Sequence, residues 1–161
     1  MSEAARRAHP DDVARLAELS RQAHEELQIE RGGALWSVRE ARPEPVDAGL
    51  AAAVVDPDAL VVAGCYDGVV VGFSSVHIEP LRDGSTLAVL DEIYVEPGAR
   101  GVAVGEAMME LVLIWCRDRG VRGIDSLALP GTRETKNFFE RFGLTARAIV
   151  VHRDLRPKDG E

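Results

Sequence analysis

The stretch that most constrains the fold is Asp91-Glu92-Ile93-Tyr94-Val95-Glu96-Pro97-Gly98-Ala99-Arg100-Gly101-Val102-Ala103-Val104-Gly105-Glu106. It reads as a buried strand, a turn at Pro97 and Gly98, a loop of small residues, and a helix start. Such a strand–loop–helix unit offers unpaired backbone N–H groups and the positive end of a helix dipole to an anion. A pyrophosphate suits this cradle, and the other elements have to be arranged around it.

Before the cradle, residues 3–9 read as a short edge strand weakened by Ala4, Ala5 and Ala8. Pro10-Asp11-Asp12 opens a helix, since proline suits the first turn and acids there complement the dipole. Val13, Leu16, Ala17, Ser20, Ala23 and Leu27 keep helical spacing to about residue 29. Within it, His24-Glu25-Glu26-Leu27-Gln28 resembles a zinc-protease helix, but Gln28 stands where the second histidine must be, so no metal site is expected. Gly32-Gly33 breaks the helix, and the stretch to Pro45, with Trp36, reads as a loop. A second helix is predicted over 46–55, stopped by Asp56-Pro57.

From Ala59 the period changes. Residues 60–66, 69–78 and 86–95 are β-rich runs joined by Asp67-Gly68 and Arg82-Asp83-Gly84, which predicts an antiparallel meander of three strands. After the cradle a helix is predicted over 103–119, with the apolar stripe Val104, Ala107, Met108, Leu111, Val112, Trp115 and Cys116. A short strand over 123–129, a helix over 132–142 stopped by Gly143, and a last strand over 144–154 complete the order β-α-α-β-β-β-α-β-α-β. That is a mixed α+β layer structure, a single domain over 1–155 with a polar tail at 156–161.

A formal charge of −8 argues against a general nucleic-acid binder and is compatible with cationic small substrates. No apolar run approaches a membrane span, and the N-terminus lacks the apolar core of a secretory signal. Cys65 and Cys116 both sit in apolar runs, which favours reduced, buried thiols in a cytoplasmic protein.

The element order and two motifs together resemble the GNAT superfamily of acyl-CoA-dependent N-acyltransferases. The first motif is Tyr94-Val95-Glu96-Pro97 followed by Arg100-Gly101-Val102-Ala103-Val104-Gly105, against the family's Arg/Gln-x-x-Gly-x-Gly/Ala. The second is Thr132-Arg133-Glu134-Thr135-Lys136-Asn137-Phe138-Phe139-Glu140-Arg141-Phe142-Gly143-Leu144. The resemblance implies the GNAT fold, a mostly antiparallel sheet splayed between its fourth and fifth strands, with residues 91–95 and 124–128 as the splayed pair. It implies acetyl-CoA, or another acyl-CoA, as co-substrate and no metal. Backbone N–H groups from Arg100 to Glu106 would hold the pyrophosphate, and backbone groups of Ile93 and Val95, beside Tyr94, would pair with the pantetheine arm. Thr132, Phe138 and Phe139 would contact the cofactor from the second motif. Two positions depart from the pattern. Ala103 replaces a glycine without removing an N–H donor. Phe139 replaces a tyrosine whose hydroxyl protonates the departing thiolate, and phenylalanine has no proton to give.

The implied reaction is attack of an amine on a thioester. An alkylamine is only about one part in a thousand neutral at pH 7, so some group must accept its proton. Asp91 and Glu92 are the nearest carboxylates in sequence to the expected thioester. Strand alternation predicts that they face opposite sides, with Glu92 sharing a face with Leu90 and Tyr94 and so favoured as the base. Their ordinary alternative is pairing with surface arginines. An oxyanion would meet the backbone N–H of Ile93. Tyr94 offers a hydroxyl for the missing acid, with packing as the commoner role. Trp36 and His77 are candidates for the acceptor pocket, although strand histidines such as His77 and His152 more often pack. The expected partner is a small-molecule or peptide amine, not nucleic acid or membrane, with a homodimer left open. The alternative is a GNAT-fold acyl-CoA-binding sensor or scaffold that turns nothing over.

Overall fold

The computed structural model describes residues 2–158. Strand β1 (Glu3–Arg7) leads through a short 3-10 turn (Pro10–Asp12) into α1 (Val13–Gln28), α2 (Gly33–Arg39) and α3 (Val46–Val55). The strands β2 (Ala59–Tyr66), β3 (Val69–Pro80) and β4 (Thr86–Val95) follow as the predicted meander. Then come a 3-10 turn (Pro97–Ala99), α4 (Val104–Asp118), β5 (Ile124–Ser126) and α5 (Arg133–Arg141). The described strands form one sheet in the order β1-β2-β3-β4-β5. Neighbours are antiparallel except β4 and β5, which run parallel. The β2–β3 turn has φ of 49° at Asp67 and 83° at Gly68, the two left-handed residues that match a tight turn to strand twist.

Each face of the sheet carries its own core. On one, α1 and α3 bury Leu16, Leu19, Val46 and Leu50 against Val61, Phe73 and Tyr94. On the other, Val104, Met108, Met109 and Val112 of α4 and Phe139 of α5 pack on Leu60, Val62, Val76 and Leu90. Gly64 lets α4 come close: a Cβ there would sit 2.6 Å from Val104 Cγ1 and 2.7 Å from Met108 Sδ.

Two predicted elements are corrected. The loop expected up to Pro45 contains α2, two turns too short for a periodic signal. The last strand expected over 144–154 does not form. The segment is rich in β-prone residues, but a strand needs a neighbouring edge to pair with, and no backbone bond joins this one to the sheet among the described residues. Ile149, Val150 and Val151 are 84%, 80% and 89% exposed, and His152 lies on this arm instead of on a strand. Of the predicted polar tail, residues 159–161 lie outside the described residues. No described helix is long and apolar enough to cross a membrane.

Candidate active site

The pairing of β4 with β5 covers Ala88–Ile124, Val89–Asp125 and Leu90–Ser126, and stops there. Ser126 Oγ donates to Leu90 O at 3.1 Å, closing the apex of a wedge. Beyond that point β4 continues to Val95 without a partner on its β5 side, so the predicted splay between residues 91–95 and β5 is present. The wedge opens toward the cradle that follows β4.

At the apex, β4 carries a bulge. Ser75 of β3 pairs with Glu92 and Val76 with Leu90, leaving Asp91 as the extra residue. One inserted residue inverts the side-chain alternation on its far side. Leu90 therefore lies in the α4 core while Tyr94 lies in the α1/α3 core. Glu92 shares a face with Tyr94, as expected, but not with Leu90. The expectation that Asp91 and Glu92 face opposite sides also fails. Asp91 meets His77, with Oδ2 2.5 Å from Nδ1, and Glu92 accepts from Ser75 Oγ at 2.9 Å. Ser75 and His77, two apart on the regular strand β3, share one face, so both carboxylates turn to the α1/α3 side.

The two acids have different surroundings. Glu92 Oε1 accepts from Arg42 Nε at 2.7 Å as well as from Ser75, and Oε2 accepts from Ser20 Oγ at 2.8 Å. Its side chain is 16% exposed and that of Arg42 17%. Both oxygens of this carboxylate are therefore engaged, and Arg42 supplies its counter-charge. Asp91 and His77 are more open, at 40% and 44%. Burial raises the Asp91 carboxyl above its ordinary value, partly offset by the hydrogen bond to His77. A carboxylate with a raised pKa, an open side and an imidazole behind it is suited to taking up a proton.

Tyr94 donates to Glu26 Oε2 at 3.0 Å. Burial, with that acceptor, pushes its hydroxyl up to about 12. Glu26 also holds Arg100, whose Nη2 lies 2.9 Å from the same oxygen. Arg100 Nε donates to Val95 O at 2.8 Å, and the guanidinium covers the Tyr94 ring at 5.4 Å. So the Arg100 side chain is folded back on β4, and one lone pair of the Val95 carbonyl expected to meet pantetheine is already engaged. Glu26, Ser20, Ser75 and Arg42 are site residues that sequence reasoning missed. Glu26 lay inside the rejected zinc-like run, and nothing local marks the others.

The cradle is open. Ala103 adopts φ 60°, ψ 21° at the N-cap of α4. The N–H of Ala107 closes on Ala103 O at 3.1 Å, so those of Val104, Gly105 and Glu106 precede the helical ladder. A Cβ placed on Gly98 or Gly101 would meet nothing within 4 Å. Val102 packs on the α4 core, and Glu106 is offset by Arg141 at 3.1 Å. The free donors, the dipole and the empty space beside them fit a pyrophosphate. Phe138 lies against Gly105, where a Cβ would come 3.3 Å from its ring. Thr132 stands at the N-cap of α5 without a side-chain cap bond, its hydroxyl donating to Leu129 O at 2.7 Å. Phe139 is 6% exposed in the α4 core. Trp36, on α2, is half-buried and edge-on to His24, with ring centroids 5.6 Å apart. The turn before α2 stands over the β5–α5 loop, since a Cβ on Gly32 would lie 3.7 Å from Pro130. No group of three or more His, Cys, Asp or Glu side chains is gathered as a metal would need, among the described residues.

A mixed sheet splayed beside a helix N-terminus with free N–H groups is the fold of the acyl-CoA-dependent N-acyltransferases. The chain belongs to the acetyltransferase (GNAT) family, whose model matches residues 15–144. It is similar to the aminoglycoside N(6')-acetyltransferase type 1 of Klebsiella aerogenes, 34% identical over 74 residues that make up 44% of this chain and 49% of that protein. It is also similar to the glucosamine 6-phosphate N-acetyltransferase of Trypanosoma brucei brucei, 27% identical over 90 residues, 55% of this chain and 59% of that one. The matched stretches thus span about half the length of these relatives. Among solved structures, AAC(6')-Iy in complex with a bisubstrate analog, CoA-S-monomethyl-acetylneamine, superposes with a TM-score of 0.74 at 17% identity, covering 98% of this chain and 100% of that one. A tetramutant of the BH1408 protein from Bacillus halodurans gives 0.79 at 19% identity, covering 94% and 99%. At such identities these structures establish the fold alone.

Proposed function

We propose that the protein transfers the acetyl group of acetyl-CoA to a primary amine of a small molecule or peptide, by direct attack within a ternary complex in the cytoplasm. The observation that carries this reading is the parting of β4 from β5 at the Asp91 bulge. It opens a wedge between a proton-accepting carboxylate at the apex and a row of free N–H groups at the mouth. The relatives' names, an aminoglycoside and a glucosamine phosphate N-acetyltransferase, support an amine acceptor. The buried free thiols of Cys65 and Cys116 agree with a reducing compartment.

Bound acetyl-CoA supplies the activated thioester. N–H groups of Gly101, Val102, Ala103, Val104, Gly105 and Glu106 would hold its pyrophosphate, while that of Arg100 closes on Pro97 O at 3.5 Å. The main chain at Ile93, Tyr94 and Val95 lines the wedge for the pantetheine arm, and Thr132, Phe138 and Phe139 bound it from the α5 side. Asp91 accepts the acceptor's ammonium proton, with His77 orienting the carboxylate. Glu92, tied to Arg42, Ser20 and Ser75, positions the bulge and acts as no base. Trp36 bounds the acceptor side. The test is free-thiol release from acetyl-CoA across a panel of amines, run beside calorimetry of CoA binding. Thiol release with at least one amine supports transfer, and absence of CoA binding overturns the reading.

A second reading, an acyl-CoA-binding module without turnover, is favoured by one observation. The position from which a tyrosine would protonate the thiolate holds Phe139, packed in the core with no hydroxyl. CoA binding without thiol release from any amine selects it.

A further inference from the structure

With Phe139 packed in the α4 core, that position offers a departing thiolate no hydroxyl, and a proton donor has to come from elsewhere. Most hydroxyls around the wedge are committed. Tyr94 lies in the opposite core with its proton on Glu26. Thr132 donates to Leu129 O, and Ser20 and Ser75 both donate to Glu92. Ser74 Oγ is buried without a partner, but it stands on β3, with β4 between it and the gap.

Ser126 is placed differently. It is the last residue of β5, and it pairs with Leu90, where the contact between β4 and β5 ends. Ile124, two residues earlier, packs on the α4 core, so strand alternation puts Ser126 on the α4 face as well. That is the face of Phe139 and the one opposite Asp91. The Ser126 hydroxyl donates to Leu90 O at 3.1 Å, across the last rung before the strands part. Its side chain is half-buried, and a hydroxyl can turn its hydrogen to a new acceptor while its lone pairs accept in turn.

We propose that Ser126 relays a proton to the sulfur of CoA, a role that rests on the acetyl transfer proposed above. Asp91 takes the first proton of the ammonium from the α1/α3 face, and the freed amine attacks the thioester carbon. Nitrogen and sulfur are then bonded to one carbon, so a single hydroxyl on the α4 face can bridge them. Ser126 Oγ accepts the surplus proton of the nitrogen while its own hydrogen passes to sulfur. The new C–N bond stays and the C–S bond breaks, leaving an amide, the thiol of CoA and a protonated Asp91. Serine ends as it began, so no alkoxide forms. A relay of this kind is a weaker donor than a tyrosine hydroxyl, which leaves room for Phe139→Tyr to accelerate the native chain.

The test reads the sulfur directly as well as turnover. In the native chain loaded with CoA, a hydrogen bond from Ser126 favours the thiolate. The bound thiol should therefore ionise about one pH unit lower than in Ser126→Ala. Ultraviolet absorbance of the thiolate follows this in a pH titration, and subtracting the unloaded protein removes the buried thiols Cys65 and Cys116. With acetyl-CoA and an amine, Ser126→Ala should lower kcat about a hundredfold, the low end for a positioned proton donor, with calorimetric CoA affinity unchanged. Ser126→Thr keeps a hydroxyl and should stay within about tenfold of the native rate. Adding Phe139→Tyr to Ser126→Ala should recover most of the loss, a rescue that a merely structural serine would not show. Equal thiol ionisation in the two proteins, or a kcat loss that Phe139→Tyr leaves unrepaired, overturns the proposal. Failure of the transfer reading looks different. The native chain then binds CoA and frees no thiol with any amine, which removes the relay, while the ionisation comparison still decides whether Ser126 donates to the sulfur.

Discussion

Tyr94 and Phe139 lie on opposite faces of the sheet. The Tyr94 ring belongs to the α1/α3 core with its hydroxyl on Glu26 at 3.0 Å, whereas Phe139 belongs to the α4 core. Tyr94 therefore presents no hydroxyl on the face where Phe139 lies. Its proton is held by a carboxylate on the wrong side, and its raised pKa makes it a poor acid.

On the proposed function, replacing Phe139 by tyrosine should supply a proton donor for the leaving thiolate. The expected effect is a rise in kcat of up to about a hundredfold, the low end of what a positioned acid contributes, with KM for acetyl-CoA little changed. Tyr94→Phe should leave kcat within about twofold and cost about 1 kcal/mol of stability through the lost hydrogen bond to Glu26. Steady-state kinetics with a good amine and a denaturant melt read both. A drop in kcat for Tyr94→Phe comparable to the expected gain for Phe139→Tyr would contradict the assignment of faces.

Asp91→Asn should lower kcat/KM by about 10²–10³ while leaving CoA binding intact, because an amide keeps the shape and cannot take a proton. Burial raises the Asp91 carboxyl above its ordinary value of 3.8, so the native protein's kcat/KM should fall on acidification at a pH above the normal aspartate range. The stability sign is opposite to that of a salt-bridged acid. The folded state holds this proton more tightly than the unfolded one, so stability declines as pH rises from the ordinary value through the raised one. The Asn variant should lose both features in pH–rate and pH–melt series.

Much of this was readable from the chain. The meander was legible because Asp67-Gly68 and the loop before Ser85 are strong local turn signals, and α4 because its apolar stripe runs for four turns. The cradle was legible because it consists of backbone and small residues. The bulge was not: Asp91 is extra only relative to β3, and register belongs to a pair of strands. Missing it put Asp91 and Glu92 on opposite faces, and Glu92 on a face with Leu90. Arg42 was equally invisible, since it reaches Glu92 across fifty positions from a loop with no motif. The arm was misread for a related reason: residues 149–151 have strand composition, but composition supplies no partner edge.

Arg42→Ala should destabilise the fold by about 2–3 kcal/mol, since it leaves the Glu92 carboxylate, 16% exposed, without its counter-charge. The double variant Arg42→Met, Glu92→Leu should recover most of that loss, as replacing a buried pair by apolar residues often does. Chemical denaturation of the two variants compares them. A surface pair would give under about 1 kcal/mol for the single change. That smaller figure would mean that Glu92 is solvated enough to compete with Asp91 as the base.

Ala103 tests whether the cradle works through its backbone. Its φ of 60° is a left-handed conformation that costs a residue with a Cβ. Ala103→Gly should therefore stabilise the protein by about 0.5–1 kcal/mol, the reverse of placing alanine at a positive-φ glycine. It should leave CoA affinity unchanged, because the N–H donors of residues 101–106 stay where they are. Ala103→Pro fixes φ near −65° and removes one donor, so it should weaken CoA binding at least tenfold, even if the fold persists. Calorimetry of CoA binding beside thermal melts reads both variants. If Ala103→Gly weakened binding as much as Ala103→Pro, the methyl group itself would be a contact. The site would then be built from side chains as well as from the helix N-terminus.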